Sequence, residues 1–586
     1  PEDRYERHLA LGFLYKLFCA LRGPSPDEPS LGVSQTSGRR ASKGAQKISW
    51  AGPELRPIAE PAPKFTSKLQ AAGDVRYVGD LPEPQGCLHA AYVQIPRAKA
   101  IVTKVDCEAA MRMQGVVGAL TAEDIPGENV TEFELPAAVQ TKLFVPRGEP
   151  SQYAGQPCMA IVADSARRAE LAAKAVTLEL ELAAEGPLLT AEACMRTLEP
   201  EEAEARPRGS ASPAAKLQHA LARGDAEAAL EAAPLRVSGR VSCNSQKHFY
   251  METHAAMAVP GEDGSLSVWQ SAQVPSWTHE ALRRVTGLPK HRLSVNIPAL
   301  GGGFGGKLFR GLHVGCVAAL AAMKWKRAAR FTLNRNADVV MTGGRAAMTV
   351  DYEAGFDGSG KLAALRVKNY ADCGGLDPCT DYATQVACEN MEQIYGIPNL
   401  DVKLWNCRTD KTPATAMRGP GEPQASFIME SVLEHVAEEL GKSAHEVREA
   451  NIFVDPAARE ACAADPTSAG IEKHSALIAA GGGKDAGGRE LSGFPALGIW
   501  EMLKRSADHA GRAKAVEAFN AAHRWRKRGL SMTPVKYAVD VRAHQALVCL
   551  YDDGTALISL DATEMGQGLH TKVIQFAAHH LSQIVP

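Results

Sequence analysis

The run ALGGGFGGKLFRG, Ala299 to Gly311, places five glycines and a lysine within seven residues. Glycine without a side chain lets backbone N–H groups come close to an anionic ligand, above all where a helix begins. Two phosphate-binding patterns fit the run: Gly301, Gly303 and Gly306 make GxGxxG, and Gly301, Gly306 and Lys307 make GxxxxGK. A nucleotide-triphosphate loop needs a Ser or Thr hydroxyl after the lysine to hold Mg²⁺, and Leu308 stands there instead. A dinucleotide loop is better flanked, by the strand-like HRLSVNIPA and the helix-like HVGCVAALAAMKWK. It lacks the acidic residue expected about twenty positions on, where the sequence reads MKWKRAARFTL around Trp325. A tight strand-to-helix turn with no ligand is the third reading.

Other chemistry is excluded more simply. The 13 cysteines are scattered from Cys19 to Cys549 without a CxxC pair, and no histidines cluster at metal-ligand spacing. That argues against structural zinc or an iron–sulfur cluster in this stretch and suits reduced thiols in an intracellular compartment. A net charge of -2 predicts no general affinity for nucleic acid or acidic membranes. No apolar run has membrane-spanning length. Glu252 and His254 read as structural, and HRWRKRG from His523 as a solvated helix end.

The elements that must position the loop are legible in part. Stretches rich in Pro, Gly, Ala and Ser, about Leu21 to Lys64, Gly186 to Lys216 and Asp455 to Pro495, read as linkers or long surface loops. Between the first two, Phe65 to Ala184 reads as a mixed unit with strands VRYVGD, LHAAYVQ and PCMAIVAD, and a helix running into a strand at SARRAELAAKAVTLELEL. From Val237 onward, Asp263-Gly264, Asp357-Gly358 and Asp553-Gly554 each predict a β-hairpin, since Asp-Gly supplies positive φ angles. Helices are expected at GCVAALAAMKWKR and FIMESVLEHVAEEL. The fold class is therefore α+β.

Four motifs in order carry a resemblance. GGGFGGK is similar to the signature loop of the molybdenum hydroxylases, the xanthine dehydrogenase and aldehyde oxidase family. QKHFYMETH (Gln246 to His254), TAMRGPGEPQ (Thr415 to Gln424) and TEMGQGLHTK (Thr563 to Lys572) resemble three further segments of that family. The resemblance implies an a/b hammerhead domain over 65–185 and a large molybdopterin-binding domain over 237–586, incomplete at its C-terminus. It makes 21–64 and 186–236 linkers, and 1–20 the end of a flavin domain. The start at Pro1 rather than Met fits an internal stretch of a longer polypeptide.

By the same resemblance Gln246 bonds an oxygen ligand of molybdenum, Gly303, Phe304 and Gly305 wrap the metal end of the cofactor, and Arg418 supports it. Met565, Gly566 and Gln567 contact the pterin. No protein ligand to the metal is needed, because the cofactor dithiolene supplies the sulfurs. In xanthine-oxidising members a Glu and an Arg anchor the purine; here those positions are Leu308 and Val386, and Pro420 replaces a stacking aromatic. Apolar replacements favour a hydrophobic aldehyde or aromatic heterocycle as the small-molecule substrate. The implied reaction is oxidative hydroxylation, with hydride passing to a sulfido ligand and electrons to 2Fe-2S clusters, FAD and then oxygen or NAD. The resemblance puts the general-base Glu beyond Pro586 and the FeS and FAD modules before Pro1, so the 586 residues alone are expected to be inactive. It also implies a homodimer for the whole protein, cytoplasmic or peroxisomal. Xanthine dehydrogenase activity, a non-catalytic scaffold and a dinucleotide-binding enzyme remain as alternatives.

Overall fold

The computed structural model describes residues 10–15, 17–18, 21, 52–133, 140–196, 215–375, 377–453, 496–537 and 544–584. The first strands are β1 Leu88–Gln94, β2 Ala100–Asp106, β3 Val116–Leu120, β4 Pro157–Ala163 and β5 Thr177–Leu182. Next come β6 Ala215–Arg223, β7 Leu235–Cys243, β8 Ala255–Pro260, β9 Leu266–Gln270, β10 Leu293–Asn296 and β11 Ala329–Thr332. The series ends with β12 Ala347–Phe356, β13 Leu362–Gly374, β14 Asn399–Arg408, β15 Ala546–Leu550 and β16 Ala556–Leu560.

Among the described residues these make a seven-stranded sheet in the order β10-β9-β8-β11-β1-β4-β3, a five-stranded sheet in the order β6-β14-β13-β12-β7, and the pairs β2-β5 and β15-β16. The larger sheet joins the two units that the sequence keeps apart: β1 runs parallel to β11, with Leu88 opposite Ala329. Strand periodicity explains how. Leu88, Ala90, Ala160 and Val162 face one buried cluster with helix Leu312–Trp325, while Ala91, Val93, Met159 and Ile161 face another with helix Ala166–Ala175. A strand buried on both faces, as β4 is along its whole length, needs a helix on each side. Helix Leu312–Trp325 is buried almost all round, as its Ala-rich sequence allows, and Gly315 lets it close on the Gln270 side chain.

Three expectations change. VRYVGD is not a strand: Val78–Asp80 is a short 3-10 turn, because the Asp80 carboxylate accepts the Tyr77 N–H at 3.0 Å and competes with sheet pairing. The stretch 186–236 is more than a linker. It holds helix Ala191–Arg196, strand β6, which closes the five-stranded sheet against β14, and helix Ala226–Ala232, capped by Asp225. The Asp-Gly hairpins form at all three places, yet the middle one takes its left-handed residue at Gly360 rather than Gly358. In each, the Asp carboxylate accepts the N–H two residues on, at Ser265, Ser359 and Thr555, so the Asp organises the turn. Residues 22–51 and 454–495, most of the other two linker stretches, lie outside the described residues.

Near the chain's end, helix Leu569–Leu581 is held by residues just before the first sheet. Gln575 Nε2 donates to Pro57 O at 3.0 Å and Glu60 O at 2.9 Å, and Phe65 N donates to Thr571 Oγ1 at 2.8 Å.

Candidate functional site

The glycine loop is cinched from beneath. Glu252 Oε2 accepts both Gly301 N–H and Lys307 Nζ–H at 2.8 Å. Lys307 is fully buried, its ammonium 4.7 Å above the Tyr250 ring. Gln273 Oε1 accepts Gly305 N–H at 2.8 Å and Lys307 N–H at 3.2 Å. A lysine so enclosed has no path to a phosphate, which rules out the nucleotide-triphosphate reading independently of Leu308. Helix Leu312–Trp325 begins five residues after Lys307, so the glycines do not form a helix N-terminus, contrary to what the sequence suggests. The intervening turn buries Phe309 and Arg310 instead. A dinucleotide loop would run straight into its helix.

What the loop leaves open is informative. Gly302, Gly303 and Phe304 have no protein acceptor for their N–H groups among the described residues. All three line a cleft of about 1290 Å³ with residues 249–253, Arg418 and 565–567. Thus Gly303, Phe304, Arg418, Met565, Gly566 and Gln567, drawn from three distant segments, meet at one cavity. The Arg418 guanidinium has no hydrogen-bond partner among the described residues, while its backbone N–H donates to Phe304 O at 2.9 Å. Phe249 and Phe304 both sit at positive φ, 49° and 51°, with 69% and 42% of their surface exposed. Large aromatic side chains rarely adopt that conformation, and such strain concentrates at functional sites.

The remaining expected residues lie elsewhere. Gly305 is not in the cleft wall; it packs on the backbone of Ala416 and Met417. Gln246 is also outside that wall, bridged to Arg345. Val386 sits beside Gly421, next to Pro420, so these two are brought together. Leu308 packs on the buried cluster around helix Leu312–Trp325.

Sequence reasoning missed Arg345, Gln273 and the structural reach of Glu252. Arg345 is buried and makes four side-chain hydrogen bonds, to Gln246 Oε1, Arg418 O, Gly419 O and Gln424 Oε1. Its only signal was a lone cation in the otherwise small and apolar MTGGRAAM.

Beneath the site lies a second buried network. Arg310 donates to Glu132 Oε1 at 3.1 Å and to Met341 O at 3.1 Å, and Asp377 accepts from Cys379 N and Thr415 Oγ1. Burial pushes the Glu132 carboxyl up to about 7 and that of Asp377 to about 6, against the pull of Arg310. Burial also lowers the values of His248, His254 and His313, which favours their neutral forms. A carboxyl whose folded value is raised stabilises the fold at low pH and loses that contribution as pH rises through the folded value. Glu132→Gln, which never ionises, is therefore expected to gain stability relative to the parent as pH rises from about 4.5 to 7, by on the order of 1 to 3 kcal/mol, less what the loss of the Arg310 ion pair costs. Thermal unfolding of both proteins across that range checks this; a constant difference would contradict it.

Comparison with known proteins gives three matches to family descriptions: an aldehyde oxidase and xanthine dehydrogenase a/b hammerhead domain over residues 72–183, and a molybdopterin cofactor-binding domain over 211–452 and again over 502–586. The chain is 32% identical to probable aldehyde oxidase 3 of Oryza sativa subsp. japonica over 91% of its own length and 37% of that protein's. It is 30% identical to an indole-3-acetaldehyde oxidase of Zea mays, covering 96% of this chain and 39% of the relative. A nicotinate hydroxylase of Emericella nidulans shares 31%, over 90% and 36%. The chain thus spans well under half the length of these relatives. Among solved structures, quinoline 2-oxidoreductase of Pseudomonas putida 86 superposes with a TM-score of 0.73 at 21% identity, covering 89% of this chain and 64% of that one. Aldehyde oxidoreductase of Desulfovibrio gigas gives 0.68 at 21%, over 88% and 53%. At those identities the likeness speaks for the fold. Among the described residues no helix is long and apolar enough to cross a membrane.

Proposed function

This chain belongs to the aldehyde oxidase and xanthine dehydrogenase family of molybdenum hydroxylases, and from that premise we propose that it holds molybdopterin in the cleft beside the glycine loop, for oxidative hydroxylation of an aldehyde or aromatic heterocycle. The observation that carries the reading is convergence: residues near 250, 303, 418 and 566 line one cavity.

The donors present suit such a ligand. Three successive N–H groups and a guanidinium without a hydrogen-bond partner among the described residues offer a concave, positively polarised surface to an anionic group. When bound, the cofactor supplies the metal and its dithiolene, and with them two-electron oxidation. The chain's own residues do the rest. Gly302 to Phe304 donate backbone N–H bonds, Arg418 contributes the charge, and Met565, Gly566 and Gln567 flank the ligand from their part of the cleft wall. Gln246 stands outside the cleft wall and is joined to it through Arg345, with its amide N–H groups left for a ligand that reaches beyond the wall. By the resemblance, Leu308 and Val386 hold the positions of the charged purine anchors and Pro420 that of the stacking aromatic; none of the three lines this cleft, and their lack of charge supports an aldehyde or apolar heterocycle over xanthine. The enzymes most similar in sequence include aldehyde oxidases and a nicotinate hydroxylase. Transfer of electrons through 2Fe-2S and FAD to oxygen or NAD belongs to the proposal for the whole protein.

The test uses the full-length protein, produced in a host that makes the cofactor. Near-stoichiometric molybdenum and turnover of an aldehyde such as benzaldehyde are expected, and a protein with neither metal nor turnover would sink the reading. Arg418→Ala should retain at least ten-fold less molybdenum with an unchanged unfolding midpoint, because the side chain is exposed and has no hydrogen-bond partner among the described residues. Metal retention equal to the parent's would remove Arg418 from the site.

A further inference from the structure

We propose that Arg345 is a positioning residue of this site, which sets the polarity of the Gln246 amide and ties that amide, itself outside the cleft wall, to the Arg418 turn that lines the cleft. The inference rests on the cofactor-binding reading above.

A guanidinium carries donors only. Arg345 Nε donates to Gln246 Oε1 at 3.1 Å, so the carbonyl end of the amide is committed to Arg345. A flipped amide would set N–H against N–H. The two N–H bonds of the Gln246 amide find no protein acceptor among the described residues. Gln246 can therefore offer a ligand donors and nothing else, which selects an electron-rich oxygen or sulfur as the atom it meets.

The other prongs of the fork fix the neighbouring turn. Arg345 donates to Arg418 O at 2.6 Å and to Gly419 O at 2.6 Å, with a third bond to Gln424 Oε1 at 3.2 Å. Its backbone N–H also donates to Gln246 O at 2.9 Å, which fixes the register of the two segments. Arg418 N in turn donates to Phe304 O. One string of hydrogen bonds thus runs from Gln246 through Arg345 and Arg418 to the glycine loop. A lysine has a single donor head and cannot hold an amide and a turn together in fixed geometry.

Two variants of the full-length holoenzyme separate this role from simple support of the fold. Arg345→Lys keeps the charge and loses the fork; Gln246→Glu keeps an acceptor for Arg345 and loses the N–H donors. Each is expected to retain at least five-fold less molybdenum and to change the Mo(V) electron paramagnetic resonance spectrum after partial reduction, while Gln246→Glu keeps the parent's unfolding midpoint. Adding Arg345→Lys to Gln246→Glu should change the spectrum no further. A parental spectrum in Arg345→Lys with a lowered midpoint would mean that Arg345 only supports the fold, and a parental spectrum in Gln246→Glu would overturn the polarity assignment. If Arg345→Lys does not fold, Gln246→Glu decides alone. If the unaltered full-length protein holds no molybdenum, the cofactor reading itself fails, a result distinct from either of these.

Discussion

Replacing Glu252 with alanine is expected to cost about 3 to 5 kcal/mol and to loosen the whole glycine loop, because it strands the fully buried Lys307 ammonium without its partner. The same carboxylate oxygen accepts Gly301 N–H, so one truncation removes a charge pair and a backbone anchor together. Burial already lowers the Lys307 value against the pull of Glu252; without Glu252 it falls further. A lysine with a depressed folded value destabilises the fold below that value and is relieved as pH rises toward its ordinary 10.5. The Glu252→Ala deficit should therefore shrink in alkaline buffer. Adding Lys307→Met should recover most of the loss, since an apolar pair has no desolvation cost, but not all, since Gly301 N–H stays unpaired at about 1 to 3 kcal/mol. Unfolding of the three proteins at pH 7 and 9.5 measures this. A Glu252→Ala protein within 1 kcal/mol of the parent would show that the pair is dispensable.

The second large effect concerns Gly305. A Cβ there would stand 2.3 Å from Ala416 O and 2.7 Å from Ala416 C, both backbone atoms, at a φ of +101°. Alanine at that position must push the loop off the 416–418 segment and break the Arg418 N to Phe304 O bond. Gly305→Ala is expected to lose about 3 kcal/mol or more, from strain and displacement together, and at least ten-fold in molybdenum retention by the full-length protein. Gly303→Ala should be milder, because its φ is not positive and the added methyl meets the Gln273 side chain rather than backbone, at the cost of the Gln273 bonds to Gly305 and Lys307. Equal behaviour of the two variants would contradict the assignment of Gly305 as the contact point between two motifs.

These two residues show what a sequence displays and what it hides. The density of glycines was plain in the sequence, but not the division of labour within it: Gly302 and Gly303 front the cleft, while Gly305 exists for a neighbour over a hundred residues on. Glu252 read as structural, and its contacts are structural, yet nothing local announced that its partner would be Lys307. Hairpins were legible because Asp-Gly turns are local, with the Asp carboxylate closing each turn on itself. Strand β6 was not, because AKLQHALAR follows an Ala- and Pro-rich stretch and becomes a strand only by pairing with β14. Arg345 was overlooked for the same reason: an arginine at the start of a strand looks solvent-facing until the acceptors from 246, 418, 419 and 424 surround it. Local chemistry is written in local sequence, and what depends on distant partners emerges with the tertiary structure.

The parallel pairing of β1 with β11 also sets a timetable. A ribosome adding 5 to 20 residues per second delivers Ala329 on the order of 10 to 50 seconds after Leu88. Once β4 has been made, about 8 to 33 seconds remain before Ala329 arrives, and in that time β1 has β4 on one edge and bare backbone on the other, with Leu88, Ala90 and Val162 waiting for the helix that will cover them. The nascent chain therefore passes through a stage in which an apolar sheet edge is open for that time, a period suited to chaperone capture. The sheet that supports the glycine loop is completed only when the loop itself has been made.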